Sequence, residues 1–283
     1  MFSAYYHLAK PGIIYGNLVA ALAGFLYASR ASGDLITLLS MMVGLGLMIG
    51  GACVFNNYFD REMDKAMPRT QKRALAAGSI PVTTALVYGG ILACAGFAIL
   101  SGGVNSIAAL TSLAGLLVYV FVYTPLKPIS HHATIVGAVS GAVPILVGYV
   151  AVTGIIDWEG WILFAILAVW QMPHFYAIAV FRAEEYAAAH VPVVSLVRGI
   201  PATERYIGMY IVLFSIIVAV PTYLGVTGFM YLGVVWAACL WWLWRAYGVA
   251  FVEPVSKARA VFGASLIVLL IVCGSLSLGP LLP

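Results

Sequence analysis

Residues Leu35 to Phe55 read LITLLSMMVGLGLMIGGACVF, twenty-one residues without a charge, and Asn56 to Arg73 continue NNYFDREMDKAMPRTQKR, with three acids and five bases in eighteen. The first stretch is long enough to cross a bilayer as a helix, which takes about 20 residues. Eight further apolar runs of similar kind follow or precede it: Ile13 to Ser29, Val82 to Leu100, Ile107 to Thr124, Ile135 to Val152, Trp161 to Phe181, Tyr206 to Leu224, Met230 to Trp244 and Ala260 to Leu278. Only 8% of the 283 residues are charged and the mean hydropathy is +1.04, whereas about a quarter of a soluble domain is charged. The runs are continuous and do not alternate, which excludes a membrane β-barrel. The expectation is an all-α polytopic membrane protein, nine transmembrane helices in one domain over residues 1–283.

With nine spans, the N-terminus and the even-numbered loops share one side. That side collects 13 of the 14 bases and leaves Arg30 alone on the other. The positive-inside rule then puts the N-terminus in the cytoplasm and the C-terminus outside, and the first twelve residues carry no cleavable signal pattern, so a bacterial inner (plasma) membrane is expected. The net charge of +4 follows from this topology and does not call for nucleic acid. The four cysteines show no CxxC spacing and read as buried free thiols.

Two long loops on the basic side, Asn56 to Pro81 and Arg182 to Arg205, hold six of the ten acids and eight of the fourteen bases. They follow spans two and six, which hints at two four-helix halves. On a helix of 100° per residue, Asn56, Asp60 and Asp64 fall on one stripe and Asn57 joins them, while Glu62 points away to solvent. Span two is therefore expected to run past its apolar part and to end near Met67, because Pro68 follows. Two carboxylates one turn apart repel unless partnered. Mg²⁺ takes oxygen ligands together with substrate phosphate, and Arg69, Lys72 and Arg73 in the following turn suit the rest of a phosphate. The stripe thus reads as a place for Mg²⁺ and a diphosphate. The alternative is a salt-bridged helix end, with Asp60 or Asp64 paired to Lys65 or Arg61. The small residues of GLGLMIGGA (Gly44 to Ala52) read as a close helix contact or as open space for a substrate chain.

At these residues the chain resembles the UbiA superfamily of intramembrane prenyltransferases, and within it the heme-farnesylating branch. The resemblance rests on Asn56, Asp60, Arg61, Asp64, Met67, Arg69, Thr70 and Arg73, and on KPGIIYGN (Lys10 to Asn17), YTPLK (Tyr123 to Lys127), GAVSGAVP (Gly137 to Pro144), WQMPHFYAIA (Trp170 to Ala179) and Glu185-Tyr186. It departs at Glu62, Ala74 and Pro128, and the second DxxxD motif common in the superfamily is absent. The resemblance implies nine helices around a central cavity open to the cytoplasmic face and the lipid. It also implies a reaction in which farnesyl diphosphate and heme b give heme o and diphosphate, assisted by Mg²⁺.

On that basis Asn56, Asp60 and Asp64 are the expected metal ligands, and Asp60, Asp64, Arg69, Arg73 and Lys127 the catalytic set. Asn56, Asn57 and Arg61 are expected at the substrate. Tyr119 and Tyr123 would line the prenyl channel, with interfacial anchoring as the ordinary alternative. His174 would contact heme, as an axial ligand or otherwise, unless it only bonds a carbonyl freed by Pro173; Arg182 and Glu185 would sit at the diphosphate or propionate end. A downstream heme-modifying enzyme is a candidate partner. The rival acceptor is an aromatic such as 4-hydroxybenzoate; a transporter would carry its charges near mid-bilayer on broken helices, whereas these cluster at one face, and a respiratory-complex subunit would leave the Asn56–Asp60–Asp64 stripe without purpose.

Overall fold

The structure, a computed structural model, describes residues 2–30, 32–248 and 253–281. Among these, nine helices are long and apolar enough to span a membrane: α1 (Pro11–Ser29), α2 (Leu35–Lys65), α3 (Val82–Gly103), α4 (Ser106–Leu126), α5 (Ala133–Thr153), α6 (Trp158–Phe181), α7 (Ile200–Tyr223), α8 (Phe229–Tyr247) and α9 (Pro254–Leu281). They coincide with the nine apolar runs. The largest differences are at α2, α7 and α9, where helix continues past the apolar run into polar residues on the basic side. The chain is a multi-pass membrane protein.

The excess length of α2 positions the site. Its 31 residues correspond to about 46 Å at 1.5 Å per residue, against about 30 Å for a hydrocarbon core. Its last ten residues therefore reach beyond the apolar layer on the basic side. The helix starts on Asp34, whose carboxylate accepts from the Thr37 amide at 2.7 Å, and it stops at Lys65, two residues before the end expected from Pro68. The chain then folds into consecutive tight turns. Thr70 is buried and its hydroxyl caps the Asp64 carbonyl at 3.0 Å, while Leu75 and Ile80 pack with Leu8, Val54 and Ala85 in a small satellite core. The Asn56–Pro81 segment is thus built structure and not a linker.

Small residues bring the helices together. α1 lies against α5 with backbones touching: a Cβ on Gly148 would land on the Ala21 carbonyl, and one on Gly24 on the Ile145 carbonyl. α2 meets α3 in the same manner, and a Cβ on Gly51 would lie 2.8 Å from the Gly89 carbonyl oxygen. Close contact is thus what the small residues Gly44 and Gly51 provide, since both face α3. The main core, with Phe25, Ile145, Leu163, Ile166, Phe214 and Trp242 fully buried, joins α1, α2, α5, α6, α7, α8 and α9. On the face opposite the bases, the Tyr27 hydroxyl donates to Glu159 at 3.0 Å and the Tyr149 hydroxyl to Asp157 at 2.8 Å, tying α1 and α5 to the start of α6. Cys53, Cys239 and Cys273 are buried free thiols, whereas Cys94 is exposed on the outer side of α3, a correction to the reading that all four are buried.

Overpacking a well-fitted contact costs about 1–3 kcal/mol, and a branched side chain at Gly148 would meet backbone that cannot give way. Gly148→Val is expected to lower the melting temperature in detergent and to reduce the yield of folded protein; an unchanged melting temperature would show that α1 and α5 do not pack this closely.

Candidate functional site

Asn56, Asp60 and Asp64 do share one face of α2, and all three are buried, at 2%, 3% and 2% exposure. Ionised carboxylates in such positions are costly unless cations meet them. Here each has one. Arg73, brought round by the turns after α2, places Nη1 2.9 and 2.8 Å from the two oxygens of Asp64. Lys127, at the end of α4, places Nζ 2.9 Å from Asp60 Oδ2. Burial opposes the charge on Lys127, but the Asp60 carboxylate outweighs it and holds the ammonium above its usual pKa. Lys10, just before α1, donates to Asn56 Oδ1. Burial, with Arg73 and Lys127 nearby, lowers Lys10 to about 8. Its backbone is left-handed, φ 53°, a conformation a non-glycine residue adopts only when its surroundings enforce it.

The local bases take no part. Lys65 pairs with solvent-facing Glu62 at 2.8 Å, and Arg61 donates to the Tyr58 carbonyl at 2.7 Å with its guanidinium over the Tyr58 ring. The expected alternative, acids neutralised along their own helix, is therefore not what forms: the partners come from the turn after α2 and from α4. Together Lys10, Asn56, Asp60, Asp64, Arg69, Arg73 and Lys127 enclose a polar pocket of about 140 Å³, completed by Met67, Tyr119, Tyr123 and Tyr186.

A second, apolar cavity of about 410 Å³ lies deeper, among α1, α2, α4, α5, α6 and α9. That size is within the usual range of small-molecule sites, about 300–1,000 Å³. Tyr119 and Tyr123 line both spaces and stack on each other, ring centroids 5.4 Å apart. They can do so because α4 widens into a π-turn over Val118–Tyr123, a device frequent at functional sites. Thr124 stabilises this turn, its hydroxyl donating to the Tyr119 carbonyl at 2.8 Å and accepting from Asn56 Nδ2 at 3.0 Å. A polar pocket meets an apolar cavity through an aromatic pair. That is the shape of a molecule with a charged head and a hydrocarbon tail.

Of the residues singled out from the sequence, Asn56, Asp60, Asp64, Arg69, Arg73, Lys127, Tyr119 and Tyr123 line the polar pocket and His174 the apolar cavity. Asn57 does not: its amide donates to the Leu8 carbonyl at 2.7 Å and anchors the N-terminal helix Phe2–Leu8. Arg61 also points away, because it follows Asp60 by 100° on the helix. Arg182 and Glu185 stand at the rim, bonded to each other at 3.1 Å, with Glu185 also 3.3 Å from Arg69 Nε. Sequence reasoning passed over Lys10, Thr124 and Tyr186 as site residues; their signal lay in the KPGIIYGN, YTPLK and EY motifs, without any spacing that ties them to α2. His174 does not bond a carbonyl freed by Pro173; its Nδ1 lies 2.7 Å from Ser265 Oγ of α9.

The sequence profile of the UbiA prenyltransferase family matches residues 17–280. The chain belongs to the UbiA prenyltransferase family. Among curated relatives, the protoheme IX farnesyltransferases of Salmonella choleraesuis (strain SC-B67) and Escherichia coli O139:H28 are each 42% identical over 269 residues, covering 94% of this chain and 91% of theirs. Solved structures share the fold of this UbiA member at low identity. That of a digeranylgeranylglyceryl phosphate synthase superposes with a TM-score of 0.80 at 18% identity, over 99% of this chain and 98% of that one. A UbiA homolog from Archaeoglobus fulgidus bound to GPP and Mg²⁺ gives 0.70 at 14%, over 97% and 99%.

Removing one partner of a buried ion pair costs about 3–5 kcal/mol, whereas exposed pairs contribute about 0–1. Arg73→Leu is therefore expected to lower the stability of the UbiA fold in detergent far more than Lys65→Met, which breaks only the surface pair with Glu62. Equal, small losses in both would show that Asp64 is not held in a dry site.

Proposed function

We propose that the chain transfers the farnesyl group of farnesyl diphosphate to a vinyl group of heme b, giving heme o and diphosphate. The observation that carries the proposal is the buried set of paired acids and bases opening onto an apolar cavity through Tyr119 and Tyr123. The 42% identity to proteins named protoheme IX farnesyltransferase supports the acceptor, and the GPP and Mg²⁺ bound to a protein of the same fold support the donor class.

The donor set fits Mg²⁺. Asp60 Oδ1 is buried and accepts no hydrogen bond among the described residues, an uncommon state for a carboxylate oxygen and one that a hard divalent cation satisfies. Asn56, Asp60 and Asp64 would hold the ion, which when bound draws negative charge from the diphosphate as the allylic C–O bond breaks. The chain's own cations do the rest. Arg69, Arg73, Lys127 and Lys10 surround the same pocket and stabilise the leaving group where its charge develops. For Arg73 and Lys127 this means exchanging a carboxylate partner for a phosphate one.

Carbon 1 of the farnesyl chain then lies between the polar pocket and the apolar cavity, beside Tyr119 and Tyr123, whose ring faces suit an allylic cation. The cavity walls keep bulk water away until the vinyl carbon attacks. The bases collect on the side of Lys10, Lys127 and the α2 overhang, which supports a cytoplasmic N-terminus and active-site mouth and an address in the bacterial inner membrane.

Purified protein given Mg²⁺, farnesyl diphosphate and heme b is expected to make heme o and to leave 4-hydroxybenzoate unprenylated. Asp60→Ala and Asp64→Ala are expected to reduce turnover below detection while the protein stays folded, and Lys127→Met to cost about 10²–10³-fold. Undiminished turnover in both aspartate variants would overturn the metal assignment, and prenylation of 4-hydroxybenzoate in place of heme would overturn the acceptor.

A further inference from the structure

Two acceptor atoms of the cavity lining, Gln171 Oε1 and His174 Nε2, have no partner among the described residues and are held in a fixed direction. Gln171 donates both amide hydrogens to backbone, to the Ala138 carbonyl at 3.1 Å and the Leu167 carbonyl at 3.1 Å. This fixes the amide and turns Oε1 toward Gly141, where even a Cβ would collide with it. Both residues line the cavity. One helical turn on, His174 lines it too. Ser265 Oγ lies 2.6 Å from the Phe262 carbonyl, a distance at which its single hydrogen must go to that carbonyl. Ser265 then accepts at 2.7 Å from His174 Nδ1, so Nδ1 carries the ring hydrogen and the lone pair of the neutral imidazole is on Nε2.

The tautomer is locked by packing. His174 stacks on Trp170, centroids 4.9 Å apart, and touches Phe262 at 4.8 Å, while Trp170 Nε1 donates to the Ser265 carbonyl at 2.9 Å. Two lone pairs on one face of α6, three residues apart and each fixed in direction, are a seat for a molecule that donates two hydrogens.

We propose that Gln171 Oε1 and His174 Nε2 hold the water that completes the reaction, with Ser265 as a positioning residue. This rests on the heme-vinyl reading above. When carbon 1 of the farnesyl group bonds to the terminal vinyl carbon, the positive charge moves to the vinyl carbon attached to the porphyrin. The water oxygen forms the new C–O bond there. One O–H bond of that water breaks, its electron pair stays on oxygen, and the proton passes to His174 Nε2, while Nδ1–H remains on Ser265. The balance is farnesyl diphosphate, heme b and water giving the alcohol, diphosphate and one proton, which leaves the imidazolium for solvent when the product departs. Without an ordered water, the same cation sheds a proton from the adjacent new CH₂ and gives an alkene lighter by one water.

The experiment uses the full chain with Mg²⁺, farnesyl diphosphate and heme b in ordinary and oxygen-18 water, with products resolved by mass. Wild type should give the alcohol, labelled from the solvent. A general base contributes about 10²–10⁴-fold, so in His174→Phe alcohol formation should fall by about a hundredfold and the farnesylated heme that forms should be mostly the lighter alkene. Gln171→Leu should shift the ratio in the same direction. Ser265→Ala should raise the alkene fraction and Ser265→Thr should restore the alcohol, a pattern that a loss of folding does not produce. Gln171→Leu and Ser265→Ala decide the matter should His174→Phe fail to fold. Variants that give only labelled alcohol, in the wild-type proportion, overturn the proposal. So does a heme spectrum altered by His174→Ala without any change in product mass, which would make Nε2 an iron ligand. If wild type forms no farnesylated heme, the functional reading itself fails first.

Discussion

Two carboxylates buried where α2 leaves the apolar layer would repel each other and resist desolvation unless cations met them there. Satisfying that requirement organises the basic face. Asp64 draws back the turns that follow α2 through Arg73, and Asp60 holds the end of α4 through Lys127. Asn56, one turn before Asp60, ties the start of α1 through Lys10 and the π-turn of α4 through Thr124. Elements separated by as many as 68 positions in the chain are therefore gathered by polar contacts on the basic face, while the main core is apolar. The same contacts leave a pocket in which both acids are paired and Lys10 and Arg69 add further positive charge.

The apolar half of the site follows a different rule. Its walls come from six spans, and its shape depends on places where side chains are missing. Gly137 leaves room for the Tyr123 ring and Gly141 for the Gln171 amide. Within this lining some polar side chains are committed to backbone: Ser140 to the Gly137 carbonyl and Gln171 to two carbonyls. The amide oxygen of Gln171 and the far nitrogen of His174 carry no partner among the described residues, and unlike the rotatable hydroxyls of Ser112, Tyr119 and Tyr123 their directions are fixed by the bonds the same side chains make.

The nine spans were legible because bilayer crossing demands continuous apolar length, which single residues cannot disguise. The stripe of Asn56, Asp60 and Asp64 was legible because helical geometry makes spacing by four equivalent to a shared face. That reasoning also put Glu62 in solvent, where its side chain is 67% exposed. It could not say which bases would answer the acids. Arg61 and Lys65 are nearest in sequence, yet they lie off the stripe, and the partners arrive through tertiary folding from nine and 67 positions away. Asn57 shows the limit of the angular argument: it sits close enough to the stripe to be counted with it, but the Leu8 carbonyl takes its amide. Ser265 carries no sequence signal at all, since a serine in an apolar run usually bonds its own helix, and only the packing of α9 on α6 reveals its second partner.

The contact of Gly51 with the Gly89 carbonyl fastens α2 to α3 at a fixed height, and Asp60 follows nine positions later on unbroken helix. The span between them works as a ruler. Adding or deleting one residue there would swing the Asp60 and Asp64 side chains by about 100° and shift them by about 1.5 Å, with no loop to absorb the error. Side chains along this segment can therefore drift in identity over time, but its length cannot.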